Sequence, residues 1–342
     1  MDFTRNVLRQ ARADNDPGRA EMRILVCGAG VIGSLYAARL RQAGHDVTVL
    51  ARASRRADIQ RHGVIVEDAV TGARLVARVS VIVQLLAEDS YDLVLVTVRR
   101  DQLPEILPVL ALNRNTPSML FLLNNPSGSS ALTAALGSQR VMLGFPGAGG
   151  ALQGCVVYYT MISQQPTTIG EVDGQVTPRL QRLLQTLRAC EFRVRIDNDM
   201  DAWLTSHAFF VTSVSGAIYL AGGDCGRLSR SPSLLKLMVD GVRQGFSVVR
   251  ALGRPVHPLG LKVLFTCLPP PVTVYYWRRY FSSQTAEFVF ARHARHAAGE
   301  MQMLAADCRS LVAKAGGPAP ALVRLYSAID DYVAGKKDTS KV

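Results

Sequence analysis

At 342 residues the chain is long enough for two domains, each with its own core, and 48% apolar with 19% charged residues is ordinary for a globular enzyme. Its formal charge of +12 is spread along the chain with no polybasic tract or nucleic-acid motif. That argues against nucleic-acid binding and fits a surface that draws in an anionic cofactor and substrate. The six cysteines form no Cys-x-x-Cys pair and no His and carboxylate cluster suggests a metal. With no apolar run near the roughly 18 residues of a membrane span and no apolar signal core at the N-terminus, a cytoplasmic protein with no membrane partner is expected.

Residues 1–21 mix four arginines with four acids and carry few large apolar groups, so they read as an extension before the first domain, with Met22 an alternative start. From Arg23 the pattern is a strand, the turn Gly28-Ala29-Gly30-Val31-Ile32-Gly33, a helix, and a second strand ending Val49-Leu50-Ala51-Arg52. This is the unit that binds a dinucleotide. Gly28 allows the tight turn, Gly30 the approach of a pyrophosphate and Gly33 close helix packing, while the N–H groups of Val31, Ile32 and Gly33 open the helix toward phosphate. The end of the second strand selects the cofactor, because a carboxylate there serves the ribose of NAD and an arginine the 2′-phosphate of NADP. Arg52 occupies that place with no acid before Asp58, so the cofactor is read as NADP, with Arg55 or Arg56 as helpers.

A hairpin is expected from Val64-Ile65-Val66 and Leu75 to Val79 around Thr71-Gly72. The apolar runs Asp92 to Val98 and Met119 to Leu123 suit strands buried on both faces of a parallel sheet. A doubly wound α/β Rossmann sheet over 22–196 follows, and the turns at 28–33, 52–56, 99–102 and 124–128 should share one cleft at the strand ends. Past Asp197 the signal turns helical. Asp199 or Asp201 can cap a helix from Trp203 to Leu220, which Gly222-Gly223 stops, and further helices are expected at 231–252, 258–267 and 274–316. An all-α C-terminal domain over 197–334 and a frayed tail at 335–342 complete the division.

The chain resembles the ketopantoate reductase family, NADPH-dependent enzymes with a Rossmann domain followed by a helical one. The resemblance spans roughly residues 22–330 and rests on Gly28 to Tyr36, Gly44-His45-Asp46-Val47 and Leu50-Ala51-Arg52, with support from Thr168-Ile169-Gly170-Glu171 and Cys190 to Val194. It implies that Arg99 and Gln102 in Val98-Arg99-Arg100-Asp101-Gln102 match the family's Val-Lys-x-x-x-Gln near cofactor and substrate, with arginine in place of lysine. It also implies that Asn125 is the asparagine beside nicotinamide and substrate, and that Glu300 is the glutamate that contacts the substrate hydroxyl.

Where the family carries Trp-x-Lys and then two asparagines at steps of four, this chain has Trp203-Leu204-Thr205, Phe209 and Ser213. Steps of four put 205, 209 and 213 on one helical face, so Phe209 and Ser213, with Glu300, are expected to line the substrate cleft. A threonine can hydrogen-bond an oxygen but is no strong acid, so catalysis is assigned to Glu300, Thr205 and Asn125 together. His207 points about 200° away from Thr205, His293 and His296 read as a solvated face, and Tyr219 reads as core.

Intact nucleotide-binding parts beside a rebuilt substrate face predict an NADPH-dependent oxidoreductase acting on a carbonyl or imine other than ketopantoate. The alternatives are a non-catalytic NADP-binding sensor or partner protein and a true ketopantoate reductase with an unusual site. The expected partner is a small-molecule substrate, and a homodimer is compatible with this reading.

Overall fold

The computed structural model describes residues 21–283 and 286–339. The expected N-terminal extension, up to residue 20, and residues 340–342 of the expected tail lie outside the described residues.

The main sheet joins β1 (Arg23–Cys27), β2 (Asp46–Leu50), β5 (Ser80–Ile82), β6 (Leu93–Val96), β7 (Met119–Leu122), β8 (Val141–Phe145), β11 (Thr167–Glu171) and β12 (Val194–Ile196). Its order is β12-β11-β8-β7-β6-β1-β2-β5, with every pair parallel except β8 with β11. Chain order runs outward from β1 on one side and from β6 on the other. The reversal therefore falls between these two strands, where α/β sheets of this kind open a crevice for a ligand. The continuous apolar runs of β6 and β7 are buried along their whole length, as strands covered on both faces must be.

Between the strands run α1 (Val31–Gln42), α2 (Ala53–His62), α3 (Leu103–Leu112), α4 (Ser130–Leu136) and α5 (Pro178–Ala189). The predicted hairpin is present as β3 (Val64–Asp68) and β4 (Arg74–Ala77), but it belongs to a second sheet that the sequence did not announce. There β10 (Val156–Met161) pairs parallel with β3 and antiparallel with β9 (Ala148–Gln153). The small sheet is held to α1 through Arg39, which donates to the Tyr159 hydroxyl at 3.2 Å and lies over the Phe192 ring.

The C-terminal half is helical around α6 (Met200–Leu220), capped by the Asp199 carboxylate, which accepts from the Ala202 N–H at 2.9 Å. Every residue of α6 from Ala202 to Tyr219 is buried, so this helix forms the centre of its domain. Around it stand α7 (Pro232–Ala251), α8 (Pro270–Phe281), α9 (Ala298–Ala315) and α10 (Pro320–Thr339). Met200, Trp203 and Leu204 also pack into the sheet's core, so the first turns of α6 serve both domains.

Three expected boundaries are corrected. The single helix expected at 274–316 is instead α8, a wide π-type turn at Glu287–Ala291, a short helix Arg292–His296 and α9. The helix at 258–267 is a single α-turn, Leu259–Lys262, that widens into a π-type turn, Val263–Cys267, before Pro269, Pro270 and Pro271 reset the chain. At the far end the backbone of α10 stays helical to Thr339, past the boundary drawn at 334.

Candidate active site

The glycine turn connects β1 to α1. Gly28 has φ 107°, a conformation that favours glycine, and a side chain there would meet Thr97 at 3.2 Å. A Cβ on Gly33 would stand 1.8 Å from the Gly28 carbonyl oxygen, so only glycine lets α1 start this close to the strand. Gly30 differs from both. Nothing lies within 4 Å of where its Cβ would be, and α1 opens there with no side-chain cap and no acid in its first turn. Open space against an uncapped helix N-terminus is what a pyrophosphate requires. Burial pushes the adjacent Cys27 thiol up to about 12, which leaves it inert.

Arg52 lies just past β2, at the N-cap of α2, and its side chain is 73% exposed, with Glu105 at 3.6 Å as its ion-pair partner. It is free to swing onto a 2′-phosphate, because an exposed pair of this kind holds weakly. Arg55 is not available as a helper. Its guanidinium donates to the Ala29 carbonyl at 3.3 Å, the Cys155 carbonyl at 3.3 Å and the Ser34 hydroxyl at 3.5 Å, clamping α2 to the glycine turn. Burial lowers its pKa, as expected of a cation drawn under the surface. Arg56 remains exposed.

At the end of β6, Arg99 lies over Asp101 in a two-pronged contact, Nε at 3.0 Å and Nη2 at 2.7 Å, and this hydrogen-bonding raises its pKa. The Gln102 side chain folds back to accept the Arg99 N–H at 3.1 Å, so Gln102 shapes this turn. Glu300 is close enough to act on Arg99 electrostatically. Next to it Arg100 pairs with Asp307 of α9 at 3.4 Å, tying the turn to the helical domain.

The two asparagines after β7 have different tasks. Asn125 is buried and donates to the Gly128 carbonyl at 2.6 Å, fixing its own turn. Asn124 donates to Glu300 Oε1 at 3.0 Å, while its Oδ1 is buried without a partner among the described residues. Glu300, Asn124 and Arg99 thus converge from both domains above the ends of β6 and β7. Asn124 was missed as a site residue; the only sequence signal was its place next to Asn125 at a strand end.

On α6, Thr205 does reach this loop. Its hydroxyl lies 2.7 Å from the Asp201 carbonyl and 3.2 Å from the Pro126 carbonyl, and it accepts from Arg254 Nη1 at 3.0 Å. Phe209 and Ser213 do not line an open cleft as expected, since both are fully buried against α7. A Cβ on Gly245 would touch the Phe209 ring base at 2.6 Å, and one on Gly241 would meet Ser213 Oγ at 3.1 Å. Steps of four do keep 205, 209 and 213 on one face, but past its first turns that face meets a glycine-notched helix. His207 stacks on Trp203 at 5.0 Å and leans on Phe145 at 4.1 Å, turned away from Thr205. Tyr219 donates to the buried Ala294 carbonyl, and the His293 and His296 side chains lie outside the described residues.

Arg254 and His257 carried no sequence signal. His257 Nδ1 bonds Asp197 Oδ2 at 3.0 Å where the sheet domain ends, and its N–H donates to Ser206 Oγ at 3.2 Å. The hydrogen bond to Asp197 raises the His257 pKa against the effect of burial. Burial alone would raise that of Asp197, but the imidazole and the Asp199 N–H hold it below the usual carboxylate value. No group of three or more potential metal ligands occurs among the described residues, and no described helix is long and apolar enough to cross a membrane.

The profile of the family described as Ketopantoate reductase PanE/ApbA matches residues 24–174. The chain resembles the ketopantoate reductases. Members of that family are NADPH-dependent oxidoreductases that act on a carbonyl group. A 2-dehydropantoate 2-reductase from Archaeoglobus fulgidus is 25% identical over 233 residues, which is 68% of this chain and 75% of that protein. Among solved structures, D-mandelate dehydrogenase with NADH and anilino(oxo)acetate superposes with TM-score 0.75 at 16% identity, covering 91% of this chain and 98% of that one. A PanE/ApbA family ketopantoate reductase from Ralstonia eutropha gives TM-score 0.73 at 19% identity, covering 92% and 100%. These two likenesses establish the fold.

Proposed function

We propose that the protein is an NADPH-dependent reductase of a carbonyl or imine other than ketopantoate. The observation that carries this reading is the state of Thr205. It stands where the resembled family has its lysine, and its hydroxyl is committed to the carbonyls of Asp201 and Pro126 and to Arg254. It therefore positions the 124–128 loop and does not supply a proton.

The groups present fit a bound NADPH: the open space at Gly30, the uncapped start of α1 and the exposed Arg52 just past β2. When bound, the cofactor supplies a hydride from its nicotinamide. The chain's own part is then to hold the substrate and to move one proton. Glu300, oriented by Asn124 at 3.0 Å, is the residue placed to deliver that proton to the substrate oxygen or nitrogen. Arg99 stands beside it as a fixed cation able to orient an acidic group on the substrate, and Asn125 keeps the loop in place.

NADPH oxidation followed at 340 nm with ketopantoate, aryl and alkyl 2-oxo acids and cyclic imines tests the assignment. Ketopantoate should turn over at least about 100-fold below the usual enzyme median of about 10 per second, since lysine assistance is missing. Turnover near that median would overturn it. The committed Thr205 hydroxyl also favours a second reading, a non-catalytic NADP-binding protein, which predicts that no carbonyl or imine accelerates NADPH oxidation.

A further inference from the structure

A separate cavity of about 410 Å³ lies on the outer face of α7, against the connection between α9 and α10. Gly241 and Gly245 turn inward to α6, and residues two positions away on the wheel point roughly opposite. Arg243, Ser247 and Arg250 recur there at steps of four and three, which places two guanidinium groups and a hydroxyl along one wall. Val248 and Ala251 from α7, with Ala315 and Pro318 across the gap, make the remainder apolar.

The charge in this cavity is unbalanced. Half-buried Arg243 donates from Nη2 to the Leu268 carbonyl at 2.6 Å, yet its Nε is buried with no acceptor among the described residues. Among the described residues neither Arg243 nor Arg250 enters an ion pair. The sequence explains why: no Asp or Glu occurs from residue 241 to 286, and Lys314 is the only charged residue between Arg309 and Arg324. The start of α10 adds its own positive end at the wall, where the Gln244 side-chain carbonyl accepts the Ala321 and Leu322 N–H groups at 3.0 and 3.3 Å. A partly desolvated cation without a counter-charge is costly, and a bound anion relieves that cost.

We propose that this cavity binds a small organic oxyanion, a carboxylate or phosphate monoester on a compact apolar body, at a site distinct from the cofactor cleft. The head group lies between Arg243 and Arg250 with Ser247 donating to it, and the apolar body rests on Val248 and Pro318. This goes beyond the catalytic reading and does not depend on it.

Isothermal titration of the full chain with phenyl phosphate, benzoate and benzyl alcohol tests the proposal, in the presence of saturating NADP+ so that the cofactor's phosphate subsite is blocked. One of the two anions should bind at a single site and benzyl alcohol should not, and which anion binds identifies the head group. Arg250→Gln and Arg243→Gln should each weaken Kd about tenfold, the loss of one charge-assisted hydrogen bond. Arg250 is exposed and among the described residues its side chain has no other partner, so that variant reports on binding even if Arg243→Gln perturbs the helix. Absence of binding by both anions, or equal binding by wild type and Arg250→Gln, would overturn the proposal.

Discussion

Replacing Phe209 by alanine separates a packing role from a substrate-binding one. The ring is fully buried between α6 and α7, where Gly245 provides a notch so narrow that an added Cβ would lie 2.6 Å from the Phe209 Cβ. Helices this close cannot collapse much further onto the space a lost ring leaves. The substitution should therefore cost near the full range for a large aromatic, about 3 to 5 kcal/mol. Against a typical total stability of about 5 to 15 kcal/mol, that is a large fraction. With a urea slope of about 2 to 3 kcal/mol/M, the midpoint should fall by roughly 1 to 2.5 M. Urea unfolding followed by far-UV circular dichroism gives the shift, and NADPH affinity measured in parallel at low urea should be unchanged. A midpoint within 0.3 M, roughly the noise of such measurements, combined with a raised KM for the substrate would refute the reasoning and return Phe209 to the cleft wall.

Other expectations follow from the same geometry. Arg52→Asp should reverse or abolish a preference for NADPH over NADH of at least about tenfold, since one charge-assisted contact is worth roughly 1.5 to 3 kcal/mol; equal affinity of the unmodified protein for both cofactors in a fluorescence titration would defeat the assignment. Glu300→Gln should lower kcat by about 10² to 10⁴ with NADPH affinity retained, and a rate within threefold of wild type, roughly 0.6 kcal/mol, would take the proton away from Glu300. His257→Asn should remove a pH-dependent contribution of about 1 kcal/mol. Because the His257 pKa is raised above 6.5 and that of Asp197 lowered below 3.8, the contribution is full between those two values; it fades as pH rises through the raised histidine value or falls through the lowered carboxylate value. A wild-type minus variant difference in Tm that does not change from pH 6 to pH 9, roughly half and then 2.5 units either side of an ordinary histidine, would show that the imidazole's charge contributes nothing.

The parts of this molecule that repeat a short local pattern were legible in the sequence. Gly28, Gly30 and Gly33 announced the turn because their spacing between an apolar strand and a helix is itself a short local pattern, and β6 and β7 announced themselves by unbroken apolar runs. The small second sheet was hidden because β9 begins Ala-Gly-Gly and lacks the alternation that marks a half-buried strand. Asn124, Arg254 and His257 were hidden for a different reason. Each acts through a partner 49 to 176 positions away, and no local spacing encodes such a pairing. Phe209 and Ser213 show the limit of the helical wheel, which groups residues on a face without saying what that face meets. That depended on Gly241 and Gly245, more than twenty-five residues further on.

The hydrogen bond between Asn124 and Glu300 makes the site its own first ligand. An incoming oxygen that is to take the Asn124 amide must displace a carboxylate delivered by the other half of the same chain, 176 positions away. Weak or poorly shaped molecules lose that contest and leave the two halves joined. With Glu300 as the proposed proton carrier, a molecule that wins it would release that residue at the moment its own oxygen arrives beside it, so that occupancy of the site and freeing of the proton carrier become one event.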